Sequence, residues 1–170
     1  MDNVLTSLDI KNPGLRVLPP GVERYFIQGG GLSVIEIAAE DKVEIINDEG
    51  KQICEIIVFN SKGKCDLSIL NLKENGDANF SKKAISQDEK VSKLFKRKNI
   101  DFNKAKSSII FDKDCLVGEK ITLTSKDKCI IMIAAPGEAM NVHEQNPPTD
   151  LTVFLNKSKF EKNEEQFLLP

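Results

Sequence analysis

Apolar residues recur at every second position through much of this chain, the spacing that puts side chains alternately on the two faces of a strand. The first such run is VERYFIQ, preceded by Pro19-Pro20-Gly21 and closed by Gly29-Gly30-Gly31. LSVIEIA (32–38), VEII (43–46) and KQICEIIVF (51–59) follow. AEDK separates the first two, and Asn47-Asp48-Glu49-Gly50 is a turn with Gly50 at its left-handed position. DLSILNL (66–72) reads as a fourth strand of the run that begins at LSVIEIA. Connections this short predict antiparallel neighbours, because a parallel crossover takes about a dozen residues. KQICEIIVF is apolar on both faces near its end, which places it mid-sheet or in a barrel wall. The second half repeats the pattern in KSSIIFD (106–112), EKITLTS (119–125), KCIIMIAA (128–135) and DLTVFLN (150–156). EKITLTS alternates Ile121 and Leu123 with threonines and so has one wet face.

Between the halves the period changes. The stretch from Lys73 to Lys106 is polar and lysine-rich. Ser86-Gln87-Asp88-Glu89 matches a capping box, Val91, Leu94 and Phe95 then share one helical face, and Asn99 can end the helix. The expected fold is therefore mainly β, an antiparallel β-sandwich or partly open barrel over residues 1–156, with one amphipathic helix near 87–99. The expected core is Val34, Ile35, Ile37, Val43, Ile45, Ile57, Phe59, Ile110, Ile121, Leu123, Ile131, Ile133, Val153 and Leu155. Residues 157–170 read as a charged linker. The closing Phe167-Leu168-Leu169-Pro170 reads as the start of a further domain, or as a strand end that tucks back.

Composition narrows the partners. At 170 residues, 40% hydrophobic and 29% charged, the chain has the make-up of a soluble globular domain. The net charge is -2, and Arg16, Arg24 and Arg97 are its only arginines, so nucleic acid is not an expected partner. Cys54, Cys65, Cys115 and Cys129 form no CxxC pair, so no zinc knuckle is expected. The opening MDNVLTSLDIKNPG lacks a basic start and an apolar core, which leads us to expect a reducing cytoplasm with free thiols. Cys54 and Cys129, inside apolar runs, are expected to be buried. No apolar run reaches the ~20 residues needed to span a bilayer, so no membrane contact is expected.

Candidate chemistry is sparse. The one histidine, His143, lies in MNVHEQNPPTDLTVFL with no cysteine or second histidine beside it. No GxSxG elbow occurs, and Gly29-Gly30-Gly31 lacks the GxGxxG spacing of a phosphate loop. Pro147-Pro148 can continue neither a helix nor a central strand. HEQNPPTD thus reads as a stiff connector that positions the last strand, with Asp150 capping or orienting it. Glu55, followed by Ile56, Ile57 and Val58, is expected to be partly buried, either meeting a cation such as Arg24 or titrating high. The candidate ligand or interface set is Arg24, Gln52, Glu55, His143, Glu144 and Asp150, with no catalytic residue and no metal ligand expected. The lysines of the helical stretch read as a solvated face, with a basic docking surface as the alternative.

The run GGGLSVIEIAAEDKVEIINDEGKQICEIIVFN resembles the start of the urea-carboxylase-associated family, a set of β-rich bacterial domains. In that family an Asp/Glu-Gly-x-Gln turn is followed by an acidic strand residue. Here the match falls on Asp48, Gly50, Gln52 and Glu55, with Asn60 closing the strand. NPPTDLTVFLN resembles the family's Asn-Pro-x-x-x-Leu segment. The two blocks are residues 29–60 and 141–156. Family members carry further histidines and cysteines in their second half, suited to a metal or ligand. This chain lacks that set, so the resemblance implies that any metal-dependent activity is lost.

Such domains also stand at the front of longer proteins ending in a region similar to the glycine-cleavage T-protein, a tetrahydrofolate-dependent aminomethyltransferase. The resemblance thus implies a non-catalytic accessory or recognition domain. Its partner would be a downstream catalytic domain of the same chain or a homo-oligomer. Tetrahydrofolate would bind only in that downstream domain, and no cofactor in this segment. The alternative is a stand-alone small-molecule-binding β-barrel or small enzyme, with a pocket around Glu55 and His143 that also gathers Arg24 and Glu144. An accessory domain predicts an exposed apolar patch near the C-terminus. An enzyme predicts a concave site holding titratable groups.

Overall fold

The computed structural model describes residues 18–137 and 147–159. It contains β1 (Val22–Ile27), β2 (Leu32–Ile37), β3 (Lys42–Asn47), β4 (Cys54–Asn60), β5 (Ser108–Ile110), β6 (Lys120–Thr124), β7 (Cys129–Ala134) and β8 (Leu151–Asn156). They form two four-stranded sheets, ordered β1-β8-β3-β6 and β2-β7-β4-β5. Every pairing is antiparallel. This is a sandwich rather than a barrel, and the strand order is that of a jelly roll.

The short connections do not make hairpins between sequence neighbours. β1 to β2, β2 to β3, β3 to β4, β5 to β6, β6 to β7 and β7 to β8 each pass from one sheet to the other. The strands are antiparallel, as expected, but their hydrogen-bonded partners lie far away in sequence. Packed sheets stand ~10 Å apart, which a few extended residues span. Residues 38–41 therefore suffice to carry the chain from β2 across to β3. Only β4 to β5 stays within one sheet, and that long connection carries all the helical structure among the described residues.

Between the sheets lie Ile35, Ile37, Val43, Ile45, Leu123, Ile131, Ile133, Val153 and Leu155 of the expected core, joined by Ile27, Cys54, Ile56 and Val58. Ile110 and Ile121 pack half-buried at its margin. Ile57 and Phe59 face the other way, into a second cluster with Ala78, Ile85, Phe95, Ile100 and Met132, and Val34 packs at its edge. β4 is apolar on both faces for this reason: one face meets the opposite sheet, the other a helical layer.

That layer differs from the expected single helix. It has two, α1 (Asn79–Ser86) and α2 (Glu89–Arg97). Asp88, not Ser86, caps α2, its carboxylate accepting from Lys90 N and Val91 N. Ser86 instead ends α1 and donates to Lys83 O at 2.7 Å. Asn99 does terminate α2, in the left-handed region at φ 53°. Asn99 N–H reaches Lys96 O and Ile100 N–H reaches Phe95 O, the paired bonds of a Schellman closure. Phe95 is pinned against Phe59 and Phe102, with ring centroids 6.1 and 5.5 Å away.

DLSILNL is also not a strand. Asp66 accepts from Ser68 N at 3.1 Å and starts a 3-10 turn over Leu67–Leu70, which Asn71 ends at φ 55°. The turn inserts Leu67, Ile69 and Leu70 into the inter-sheet core. Among the described residues no helix is long and apolar enough to cross a membrane.

Candidate functional site at the turn end

Four connections meet at one end of the sandwich: β1–β2, β3–β4, β5–β6 and β7–β8. Gln52 ties three segments together there. Its Nε2 donates to Ile53 O at 2.8 Å and to Pro136 O at 2.9 Å, and its Oε1 accepts from Thr149 N at 2.8 Å. Both donors and the acceptor are therefore engaged by backbone, and the residue is 5% exposed. Gln52 builds the site rather than binding into it.

Asp150 does the matching job on the other side. Its Oδ1 accepts from Gly29 N at 2.8 Å, so it orients the entry to β8 through the glycine turn. Gly29 has to be glycine because a Cβ there would lie 2.3 Å from Pro148 O. Gly30 supplies the turn's positive φ of 80°, and its N–H bonds Ala135 O at 2.7 Å. The GGG run is thus a close backbone approach joined to a tight turn.

The β3–β4 and β5–β6 connections are laced just as closely. Lys51 N bonds Cys115 O at 2.9 Å, and Asn47 N bonds Glu119 O at 2.8 Å. Asn47, fully buried, donates from Nδ2 to Gln52 O at 2.7 Å and to Cys115 Sγ at 3.3 Å. A Cβ on Gly50 would meet the backbone of Cys115, Leu116 and Val117 within 2.9 Å. The β5–β6 turn therefore cannot fold inward, and Leu116 and Val117 stand 74% and 76% exposed.

A cleft of about 380 Å³ lies between these connections. Ile53, Pro136, Pro147 and Pro148 form apolar walls, while Glu49, Lys51, Lys113 and Asp114 stand round it.

The remaining candidates lie elsewhere or outside the described residues. Glu55 is 5% exposed and points from β4 toward the helical layer. Its Oε1 accepts from Ser81 N at 3.1 Å and from Ser81 Oγ at 2.5 Å. Ala78, the residue preceding α1, has no side chain able to cap it, so Glu55 caps α1 from across the sheet. Its partner is thus Ser81, not a cation. Arg24 is exposed on the outer face of the other sheet, opposite Phe154. The structure brings Gln52 and Asp150 together and leaves Glu55 and Arg24 apart from them. His143, Glu144 and the Phe167–Pro170 segment are outside the described residues.

The thiols are not activated. All four cysteines are free. Burial pushes Cys54 and Cys65 up, and takes Cys115 and Cys129 to about 11. A nucleophilic cysteine needs the opposite shift. Among the described residues no three His, Cys, Asp or Glu side chains converge as a metal site requires. A second groove, of about 470 Å³, runs between the edges of β1 and β2. There Glu23 holds Lys157 Nζ and Tyr25 Oη, each at 2.5 Å. Burial and then the Glu23 bond push Tyr25 up to about 12.

Sequence reasoning missed Leu116 and Val117. The signal was available: an apolar pair inside DKDCLVGEK, a stretch otherwise made of turn residues and charges. The exposed apolar pair also falls at the turn end, whereas β8 finishes at the opposite end. The C-terminal residues, where an accessory domain led us to expect an exposed apolar patch, lie outside the described residues.

The molecule is thus a jelly-roll domain in which the best-placed polar side chains serve the backbone. No family model matches the chain. It is similar to trimethylamine-oxide aldolase of Ruegeria pomeroyi, 28% identical over 165 residues. The match covers 95% of this chain but 21% of that enzyme, so the chain spans about a fifth of the relative's length.

Proposed function

We propose that this domain is a non-catalytic accessory or recognition module of a larger, glycine-cleavage T-protein-like protein of the aminomethyltransferase type, working in cytoplasmic one-carbon metabolism. The observation that carries the reading is that almost the whole chain corresponds to about one fifth of a much larger enzyme. The geometry supports it: the Gln52 amide is engaged in holding loops and Glu55 Oε1 in holding a helix, which suits these residues to a structural role. Tetrahydrofolate would bind in a separate catalytic domain, and this module would pack against that domain or help present its substrate.

The test is a domain replacement. This chain is substituted for the matching segment of the Ruegeria enzyme, beside a variant with that segment deleted. The expected result is consumption of trimethylamine oxide by the chimera, its loss on deletion, and none by this chain alone. Turnover by the isolated chain, or full activity of the deletion variant, would overturn the proposal.

A further inference from the structure

We infer that the outer ridge of α2 is a docking surface for an acidic polypeptide. The inference goes beyond the accessory role and stands or falls separately from it. Residues 79–106 carry nine basic and three acidic side chains, a net of +6 in a chain whose overall charge is -2. Lys90, Lys93, Leu94 and Arg97 follow one another at i, i+3, i+4 and i+7 along α2, and all four are exposed. Like charges three and four residues apart destabilise a helix. α2 holds them because Phe95, on its inward side, is buried against Phe59 and Phe102. Among the described residues no carboxylate forms an ion pair with Lys90, Lys93 or Arg97, Glu89 included. Asp88 is taken by the cap of the helix. Cations flanking the ridge are paired instead: Lys98 meets Glu36 at 3.9 Å and Lys106 meets Asp77 at 2.7 Å.

Charge complementarity defines the partner. Three cations around one leucine fit carboxylates set around an apolar side chain, the make-up of an acidic amphipathic helix. Each carboxylate meets a cation that no acidic group of the fold holds. Leu94, 41% exposed, supplies the apolar centre that a polypeptide contact uses. The backbone of α2 is already fixed by its Asp88 cap and its Asn99 closure, so docking does not have to order it. Nucleic acid is a poorer match. The ridge has a single arginine and no aromatic ring for stacking, and the chain outside residues 79–106, net -8, repels a long polyanion. An anionic membrane is poorer too, because α2 spends its apolar face on Phe59 and Phe102 rather than on lipid.

The probe is a synthetic helical peptide with glutamates at i and i+4 beside a leucine stripe, titrated into the isotopically labelled full chain and followed by amide chemical shifts. Its glutamine counterpart, a DNA duplex and phosphatidylserine vesicles are titrated alongside. The expected result is shifts centred on α2 with the acidic peptide and none with the glutamine one. Binding is expected to weaken as salt rises from about 0.05 to about 0.5 M, because screening shortens the reach of each charge. The triple variant Lys90→Gln/Lys93→Gln/Arg97→Gln is expected to weaken binding at least about tenfold, as loss of complementary charge does. Leu94→Ala is expected to weaken it several-fold with the same salt dependence. Lys126→Gln, an exposed lysine on the β6–β7 turn, is expected to leave it unchanged. Circular dichroism checks folding, and should the triple variant misfold, Lys93→Gln against Lys126→Gln decides. Absence of binding by the acidic peptide, equal binding by the glutamine peptide, or binding indifferent to the ridge substitutions overturns the inference. Tighter binding to the duplex or the vesicles overturns it in favour of that class of partner.

Discussion

Replacing Gln52 should be far more damaging than its position in a connection suggests. Gln52→Ala removes bonds to Ile53 O, Pro136 O and Thr149 N, all at 2.8 to 2.9 Å, from a residue 5% exposed. At ~1 kcal/mol net for each bond, plus a share of the cost of stranding buried backbone groups, the loss is about 3–4 kcal/mol. That is a large part of the ~5–15 kcal/mol that holds a domain folded. In melting temperature it amounts to roughly 6–15 °C for a domain of this size.

Gln52→Glu is the sharper variant, because it keeps the shape and removes both donors. Its carboxylate would face two carbonyl oxygens, which favours the protonated form in the fold and raises the new group's pKa above its unfolded value of ~4.3. A raised folded pKa gives stability that is present below the unfolded value and lost as pH rises through the folded one. Gln52→Glu should therefore be less stable than Gln52→Ala at pH ~8, and the gap should close toward pH ~4. The chain has no tryptophan, so urea unfolding followed by far-ultraviolet circular dichroism is the suitable assay. Should Gln52→Ala fall within ~0.5 kcal/mol of wild type, the range of ordinary surface substitutions, the clamp would be refuted. A Glu–Ala gap that ignores pH would refute the donor argument.

Two further outcomes follow from the same geometry. Glu55→Ala strands the N–H and hydroxyl of Ser81, itself fully buried, and should cost about 2–4 kcal/mol. Glu55→Gln keeps an acceptor and should cost less, a difference readable in urea midpoints and in amide exchange at Ser81. Tyr25 is the only tyrosine, so its ionisation can be followed cleanly at the phenolate absorbance band. The native midpoint should lie at about 12 and fall to ~10 in urea, with stability lost as pH rises across that interval. A native midpoint near the unfolded one would show that neither burial nor Glu23 acts on that phenol.

Most strands were legible because each buries one face against the same core, which fixes a two-residue period. Their partnering was not legible. A four-residue connection such as 38–41 serves equally for a hairpin or for a step between sheets, and only the packed structure distinguishes them. DLSILNL misled because Leu67, Ile69 and Leu70 are also strand-forming residues, while the caps at Asp66 and Asn71 decide locally for a 3-10 turn. At the site, the Asp48–Glu55 turn stood out as unusual, and Gln52 and Asp150 do assemble one end of the molecule. Their roles as clamps depend on Pro136, Thr149 and Gly29, which are distant in sequence. The Glu55–Ser81 pair joins a strand to a helix 26 residues away, and no local pattern announces it.

The position of β8 bears on how the chain is made. This strand, the last among the described residues, is internal, pairing with β1 on one side and β3 on the other. During synthesis neither of those strands can complete its ladder until Leu151–Asn156 leaves the ribosome. Nascent chains halted before that point would display two open edges able to recruit foreign strands.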